Sequence, residues 1–559
     1  MKFARTNTLH RLHRPLSRLL AAVFLGGALF AADAAAQPTE YLLKQILIET
    51  TIDSAERLTK QPDRGFVVVP TPVSGIDASD LAKVLAAAEN RPINERLLVA
   101  LAQVIQAYFR QRDYPIATAI IPQQKISDGA VRVAVLLGKF RDIKIQGNRW
   151  FSESLIREKL RVERGELLRL SELDQALTWT NNSPFRRVRV HIDPIPDSGE
   201  ANLIIGVEER FPLRAHASFD NGGNDVIGSH RIFGGASYGN LWGKDHELSY
   251  QMVTTNLSRK YLAHAVNYRI PLPWRHHLQA SASYSRARPD FFDGLFVQDG
   301  KNLTTELRYS APIKNRWLPL EAFGSLNYKQ SNNNLEFGGS EVEASSIDTF
   351  LVNFGFSSLR RDQRGAWLAG VSVSASPGDF NSRNTDAAFA PVRFGAKARY
   401  LVGNLTLQRA LALGGGWELN SKLLVQAAST NLMSGEQITI GGATSVRGFQ
   451  ENTFVGDRGF VLTQEIQPPV RSKPVDLGPN RRRSLDYRPI FFFDAGSTDF
   501  KHRIGIDRRH AALASVGLGL RAAIAGSLSF ALDHGWQVTR LPNPQPHRYR
   551  THVKVAFAY

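Results

Sequence analysis

From Leu213 to its last residue, Tyr559, the chain alternates apolar and polar residues in segments of about ten, each closed by turn residues. "LRAHASF" sets Leu213, Ala215, Ala217 and Phe219 on one face of a strand and Arg214, His216 and Ser218 on the other, because successive strand side chains point to opposite sides. "HELSYQM" does the same with Leu248, Tyr250 and Met252, and "GSLSFALDH" with Leu528, Phe530 and Leu532. About sixteen such segments follow one another, from 213–221 through 392–403, 415–427, 459–469 and 488–496 to 550–559, an even number as bacterial single-chain barrels require. No apolar run in this region approaches the roughly 18 residues of a membrane helix. Only helices and closed barrels satisfy every backbone polar group in lipid, so a bilayer-crossing part here is a closed, antiparallel transmembrane β-barrel over 212–559. A water-soluble sandwich alternates too. The even count and the aromatic end, with Thr551, Val553, Val555 and Phe557 on one face, weigh for the barrel.

The preceding residues keep a different rhythm. "DASDLAKVLAAAEN" (77–90) starts with capping-type Asp and Ser, and "NERLLVALAQVIQAYFRQR" (94–112) has apolar residues at helical spacing. Strand-like "ATAIIPQQ" and "AVRVAVLLGK" follow, and the order then recurs. "FRDIKIQGN" reads as a strand, "SESLIREKL" and "SELDQALTWT" as helices, and "FRRVRVHIDPI" and "ANLIIGVEER" as paired strands. Two small α/β domains are expected, over 65–139 and 140–211.

The first 18 residues hold Lys2, Arg5, Arg11, Arg14 and Arg18 and no acid, and an apolar run, Leu19–Ala31, leads into "ADAAAQ". That order of basic head, short apolar middle and small-residue end predicts a secretory signal peptide over 1–36. The run is too short to serve as a membrane anchor. With no cysteine in the chain, disulfides and thiolate metal sites are excluded. The formal charge of +18 is scattered along an exported chain, so nucleic acid is not an expected partner. No cofactor or metal is expected. Neither an HExxH pair nor a GxxxxGK[ST] phosphate loop is present, and the chain is read as a non-enzyme.

One loop stands out. "IGGATSVRGFQENTFVGDRGF" (440–460) is long, rich in Gly and free of Pro, and lies between the eleventh and twelfth strand segments. Arg447 either projects into water or folds with the loop, 428–458, into the barrel's interior. The strand "YRPIFFFDAGS" offers a partner for the second arrangement: with Phe491 and Phe493 facing lipid, Phe492, Asp494 and Gly496 share the inner face. The planar fork of an arginine matches a carboxylate bidentately. Gly448 and Gly496 would let loop and wall approach closely.

"VRGF" (446–449), then "GDRGF", then "FFDAG" resembles the transporters of two-partner secretion, the TpsB proteins of the ShlB/FhaC/HecB type. "QAYFRQRDYPIATAIIPQQ", "GKFRDIKIQGN" and "NNSPFRRVRV" are similar to that family's POTRA domains, although Asp113 stands where the family usually has Gly. The resemblance implies two periplasmic POTRA domains before a sixteen-stranded barrel in the outer membrane of a Gram-negative bacterium. It implies a lumen motif of Val446, Arg447, Gly448 and Phe449, held by Phe492, Asp494 and Gly496. Many members also plug the pore with an N-terminal helix. Residues 37–64 would supply that helix and its linker; a disordered lead-in is the alternative.

The function implied is export of a large secreted partner (a TpsA-like adhesin, haemolysin or enzyme) without ATP, by type Vb secretion. The client would bind the POTRA domains, with Phe185, Arg186, Arg187, Val188 and Arg189 as the candidate edge. Phe557 and Tyr559 would be read by the barrel assembly machinery, outer-membrane lipids would surround the barrel, and the protein would act as a monomer. An insertase of the same superfamily is a second reading, and a passive porin a third; the two α/β domains count against the porin.

Overall fold

The computed structural model describes residues 41–559 apart from 62–63, 127, 196–199, 224–226, 256–259, 292–295, 314, 316–317, 338–339, 477–481, 504–509, 525 and 542–546. The expected signal peptide, 1–36, lies outside the described residues. The chain divides into two units at Glu209/Arg210.

In the first unit, the expected helices appear at Ala78–Leu85 and Glu95–Gln111. Asp77 caps the former by accepting from the Ser79 and Asp80 N–H groups, and Asn94 caps the latter through Leu97 N–H. Both helices cover a four-stranded sheet ordered Val67–Val68, Gln45–Glu49, Ala130–Leu137, Ala117–Ile120. Gln45–Glu49 was expected to fall in a plug helix or linker. Instead it is an interior strand, parallel to Ala130–Leu137, with all five residues buried. The reason is its composition: "QILIE" supplies three consecutive branched or long apolar side chains to a strand covered on both faces, as buried parallel strands do. Among the described residues, the only helix in this stretch is the short Ile52–Glu56, capped by Thr51.

A second sheet, ordered Lys139–Gln146, Glu200–Glu209, Arg186–Ile195, packs against helices Glu153–Leu160 and Leu170–Thr180. The two domains interlock. Ile116 from the first belongs to the core of the second, and Leu167 from the second packs on the core of the first. Asp113 joins them most directly. Its carboxylate accepts from Ser171 N–H (2.6 Å), Ser171 Oγ (2.6 Å) and Arg169 Nε (3.0 Å), and its carbonyl accepts from Leu170 N–H. Helix Leu170–Thr180 has no cap from its own Arg169, so a residue of the neighbouring domain supplies it. Asp113 holds a φ of 89° to do so, a conformation that favours glycine.

The second unit is a closed barrel of sixteen antiparallel wall strands, with short extensions at Asp290–Phe291 and Arg471–Asp476. Apolar side chains of the outer face, including Leu248, Tyr250, Phe354, Phe356, Phe491, Phe493 and Phe557, are exposed, as a lipid-facing band requires. The tenth strand runs over Arg399–Gly414, later than the expected 392–403. A short helix, Asp386–Phe389, buries Phe389 against Ile347, Ala396, Ala398 and Met433, and this takes up the start of the expected segment. The shortest join between two wall strands closes the ring: Leu213–Asp220 meets Tyr549–Ala558 only from Asp220↔Lys554 to His216↔Ala558. Above it, the Asn221 side-chain amide bonds Thr551 C=O and Val553 N–H, taking the place of another strand residue.

Candidate functional site

The long loop between Trp417–Ala428 and Arg458–Gln467 is built as an inward finger. Ile438–Ile440 and Phe454–Gly456 pair antiparallel to form its stem. Gly441 and Gly442, at φ of 102° and 112°, turn the chain into the tip. Ile440, Val446 and Phe449 are buried against Val461 and Leu513 of the wall, an apolar core within the barrel. At Gly496 a Cβ would lie 2.9 Å from Ile440 Cγ2 and 3.2 Å from Val446 Cγ2, so wall and finger meet there without room for a side chain.

Arg447 is 3% exposed and Asp494 fully buried. Arg447 Nε and Nη2 donate to the two Asp494 oxygens at 2.7 and 2.9 Å, and its backbone N–H donates to Asp494 Oδ2 at 3.1 Å. Of the two arrangements open in the sequence, the fold adopts the inward one. The guanidinium lies 3.6 Å over the Phe492 ring. Its remaining nitrogen, Nη1, donates to Glu465 Oε1 at 2.6 Å and sits 3.6 Å from Asp533 Oδ1. Asp533 is itself bound at 2.8 and 2.9 Å by Arg521. Three carboxylates thus share two guanidinium groups, which spreads the charge that burial would otherwise leave uncompensated.

Gly448 completes the anchorage. Its N–H donates to His552 Nε2 (3.2 Å), and its carbonyl accepts from Gln537 Nε2 (2.8 Å). The expected residues Val446, Arg447, Gly448, Phe449, Phe492, Asp494 and Gly496 therefore meet at one place. Sequence reasoning missed Glu465, Arg521, Asp533, Gly535, Gln537 and His552. Alternation places Asp533 and His552 on the inner face, but nothing in one sequence says which inner-face residues lie level with the finger's tip.

The finger's base has its own anchor. Asp457 is fully buried; it accepts from Leu432 N–H (2.8 Å), Lys501 N–H (2.9 Å) and Arg393 Nη2 (3.0 Å). Three loops of the same rim converge on that carboxylate.

In the first unit, the candidate client edge needs correction. Phe185, Arg186 and Val188 are buried, and Arg186 lies over the Phe151 ring, so these side chains build the domain core. The Asn181 side chain bonds both the N–H and the C=O of Val188, closing the edge there. Arg187 and Arg189 are exposed, with Arg189 paired to Glu208 at 2.8 Å. Strand Arg186–Ile195 is nonetheless an edge of its sheet. Phe557 on the last strand and Tyr559 just past its end are both exposed. Among the described residues no acidic and histidine cluster fit for a metal occurs.

Residues 199–522 match the family model described as haemolysin secretion/activation protein ShlB/FhaC/HecB. Residues 69–138 match a POTRA domain of ShlB type, and 138–210 a POTRA model described as a surface antigen variable number repeat. The outer membrane transporter CdiB of Dickeya dadantii is 24% identical over 386 residues, covering 67% of each chain. The heme/hemopexin transporter protein HuxB of Haemophilus influenzae is 22% identical over 490 residues, covering 80% of this chain and 78% of its own. Among solved structures, CdiB from Escherichia coli superposes with a TM-score of 0.72 at 15% identity, covering 97% of both chains, a likeness of fold.

Proposed function

We propose that this chain, which belongs to the haemolysin secretion/activation protein family ShlB/FhaC/HecB, passes an extended partner protein through a barrel whose bore is governed by the Arg447 finger. The family is one of outer-membrane transporters for a secreted partner, with POTRA domains in the periplasm. The observation that carries the mechanism is the buried Arg447–Asp494 pair: a loop tip fixed inside the lumen by charge and main-chain bonds must shift for a polypeptide to pass.

The partner is received by main-chain pairing on the edge strand Arg186–Ile195. Such pairing tolerates many sequences. Val190 and Ile192 continue the edge beyond the stretch that Asn181 closes. Arg187 and Arg189 favour an acidic client segment. An adhesin, a cytolysin or an enzyme all fit this route. The exposed Phe557 and Tyr559 serve recognition by the assembly machinery, and the barrel works as a monomer in outer-membrane lipid.

Deleting the gene in its own host and comparing culture supernatants tests the reading. A large exported protein disappears, and returns with the wild-type gene but less with Arg447→Ala. An unchanged supernatant overturns it.

A further inference from the structure

On the lipid-facing side of the wall, two neighbouring strands change character at the same row. The chain enters the barrel from the periplasm at Leu213, so His277–Ala287, the fifth wall strand, ends at the outer surface, and Phe296–Ile313 starts there. Every second residue from Leu278 to Tyr284 on the first strand, and from Tyr309 to Leu303 on the second, points outward, and none of them is charged. The next outward pair is Arg286 directly opposite Lys301.

The height of that pair follows from the strand itself. Trp274 and Tyr309, both exposed and joined by a 3.0 Å hydrogen bond, mark the periplasmic edge of the apolar band together with His276. Ten residues separate His276 from Arg286. At about 3.3 Å per residue and a tilt near 40°, they climb about 25 Å, the height of a barrel's apolar band. Arg286 and Lys301 therefore stand where the acyl chains of the outer leaflet end, with the exposed Tyr284 just below them.

Like charges directly opposite on paired strands repel, and Asp299 relieves this pair only in part. Arg286 donates from Nε and Nη2 to the two Asp299 oxygens at 2.7 and 2.6 Å, which fixes the carboxylate. Arg288 and Lys301 reach it at no less than 3.4 and 3.7 Å, and their side chains are 51% and 45% exposed. One carboxylate offsets one of three charges. An arginine has five N–H donors and a lysine three, so both keep donors for an anion from outside the wall.

We propose that Arg288 and Lys301, steadied by the Arg286–Asp299 pair, bind a phosphate of lipopolysaccharide, the phosphorylated glycolipid of the outer leaflet. The level selects the ligand, because lipid A carries its phosphates on the sugars directly above its acyl chains. Charge selects it too. A phosphomonoester carries close to two negative charges at neutral pH, and arginine with lysine binds it without a bridging metal. A glycerophospholipid is the less suited occupant, since its diester carries one charge. The site draws on the chain's place in the outer membrane and does not depend on the export reading.

Purified full-length protein in detergent, titrated with lipopolysaccharide trimmed to lipid A and inner core, tests the proposal, with occupancy read by native mass spectrometry. Arg288→Gln with Lys301→Gln should weaken binding roughly tenfold, the scale of one charge-assisted hydrogen bond. Lys83→Gln with Arg141→Gln, which removes two equally exposed cations from the first unit, should leave binding unchanged. Lipid A stripped of its phosphates should bind the wild type as weakly as intact lipopolysaccharide binds the double variant. Folding is followed by heat-modifiable mobility, and Lys301→Gln alone, with a loss of about threefold, decides the matter if the double variant does not fold. Wild-type affinity in a folded variant overturns the proposal. So does phosphatidylglycerol binding as tightly as lipopolysaccharide, which would make this a site for any anionic lipid, or inorganic phosphate displacing the lipid at equal concentration, which would make it a site for the free anion.

Discussion

Gly448 on the lumen finger and Gly535 on the barrel wall meet main chain to main chain. A Cβ on Gly448 would lie 2.8 Å from the Gly535 carbonyl oxygen, and one on Gly535 would lie 2.7 Å from Gly448 N. Neither position has space for a methyl group.

Gly535→Ala should therefore push the finger off the wall and lengthen the Gln537–Gly448 hydrogen bond. Gly448→Ala should be worse, because its φ of 88° adds backbone strain to the clash. Channel conductance in planar bilayers measures both: each variant should raise the open fraction, Gly448→Ala more. Equal, wild-type conductance in both would show that the close approach does not hold the finger.

Arg447→Ala and Asp494→Ala should not be equivalent. Without Asp494, Arg447 keeps Glu465 at 2.6 Å. Without Arg447, the buried Asp494 loses its cation, a loss on the order of 3–5 kcal/mol when one partner of a buried pair is removed. Arg447→Ala should then cut secretion more at matched barrel levels. Arg447→Lys should rescue poorly, since a point charge cannot bridge two carboxylates in the plane of a guanidinium.

Asp113→Ala should uncouple the two POTRA domains locally. It removes the cap of helix Leu170–Thr180, a loss of about 1 kcal/mol. Hydrogen exchange at Ser171–Leu173 in the full chain should quicken roughly fivefold. Asp113→Gly should lose less stability than Asp113→Ala, because glycine accepts the φ of 89° without strain. The reverse order would show that strain at this joint is negligible.

Asp457→Ala should loosen three loops at once. Arg393 loses its carboxylate, and the Leu432 and Lys501 amides lose their acceptor. Trypsin added to intact cells should then cleave after both Arg393 and Lys501, sites that stay resistant in the wild type. Cleavage confined to one loop would mean that the three do not share a single anchor.

Much of this architecture was readable from alternation alone, because a strand between lipid and lumen shows its two faces directly in its residues. Phe491 and Phe493 against Phe492 and Asp494 is the plainest instance, and the cap at Asp77 and the helical spacing over 94–112 marked their helices equally well. Gln45–Glu49 was misread because a buried parallel strand has no polar face to give it a period. The start of the tenth strand was misplaced because Phe389 sits on a helix of only four residues, too short to show a rhythm. At the site, the motif and its acid were legible, but Glu465, Gly535 and His552 depend on the stagger between strands, and one sequence does not carry that. At the client edge, Phe185, Arg186 and Val188 were chosen by residue type, and only packing separates a stacked, buried arginine from a solvated one.

The finger's tip is bound by side chains or main chain of four wall strands: through Glu465, Asp494, Asp533 with Gly535 and Gln537, and His552. Those strands form an arc that ends at the ring's shortest join. The tip is therefore a brace as well as an obstruction. The girth of that arc cannot change while all its ties hold, and clearing the bore slackens the arc in the same movement.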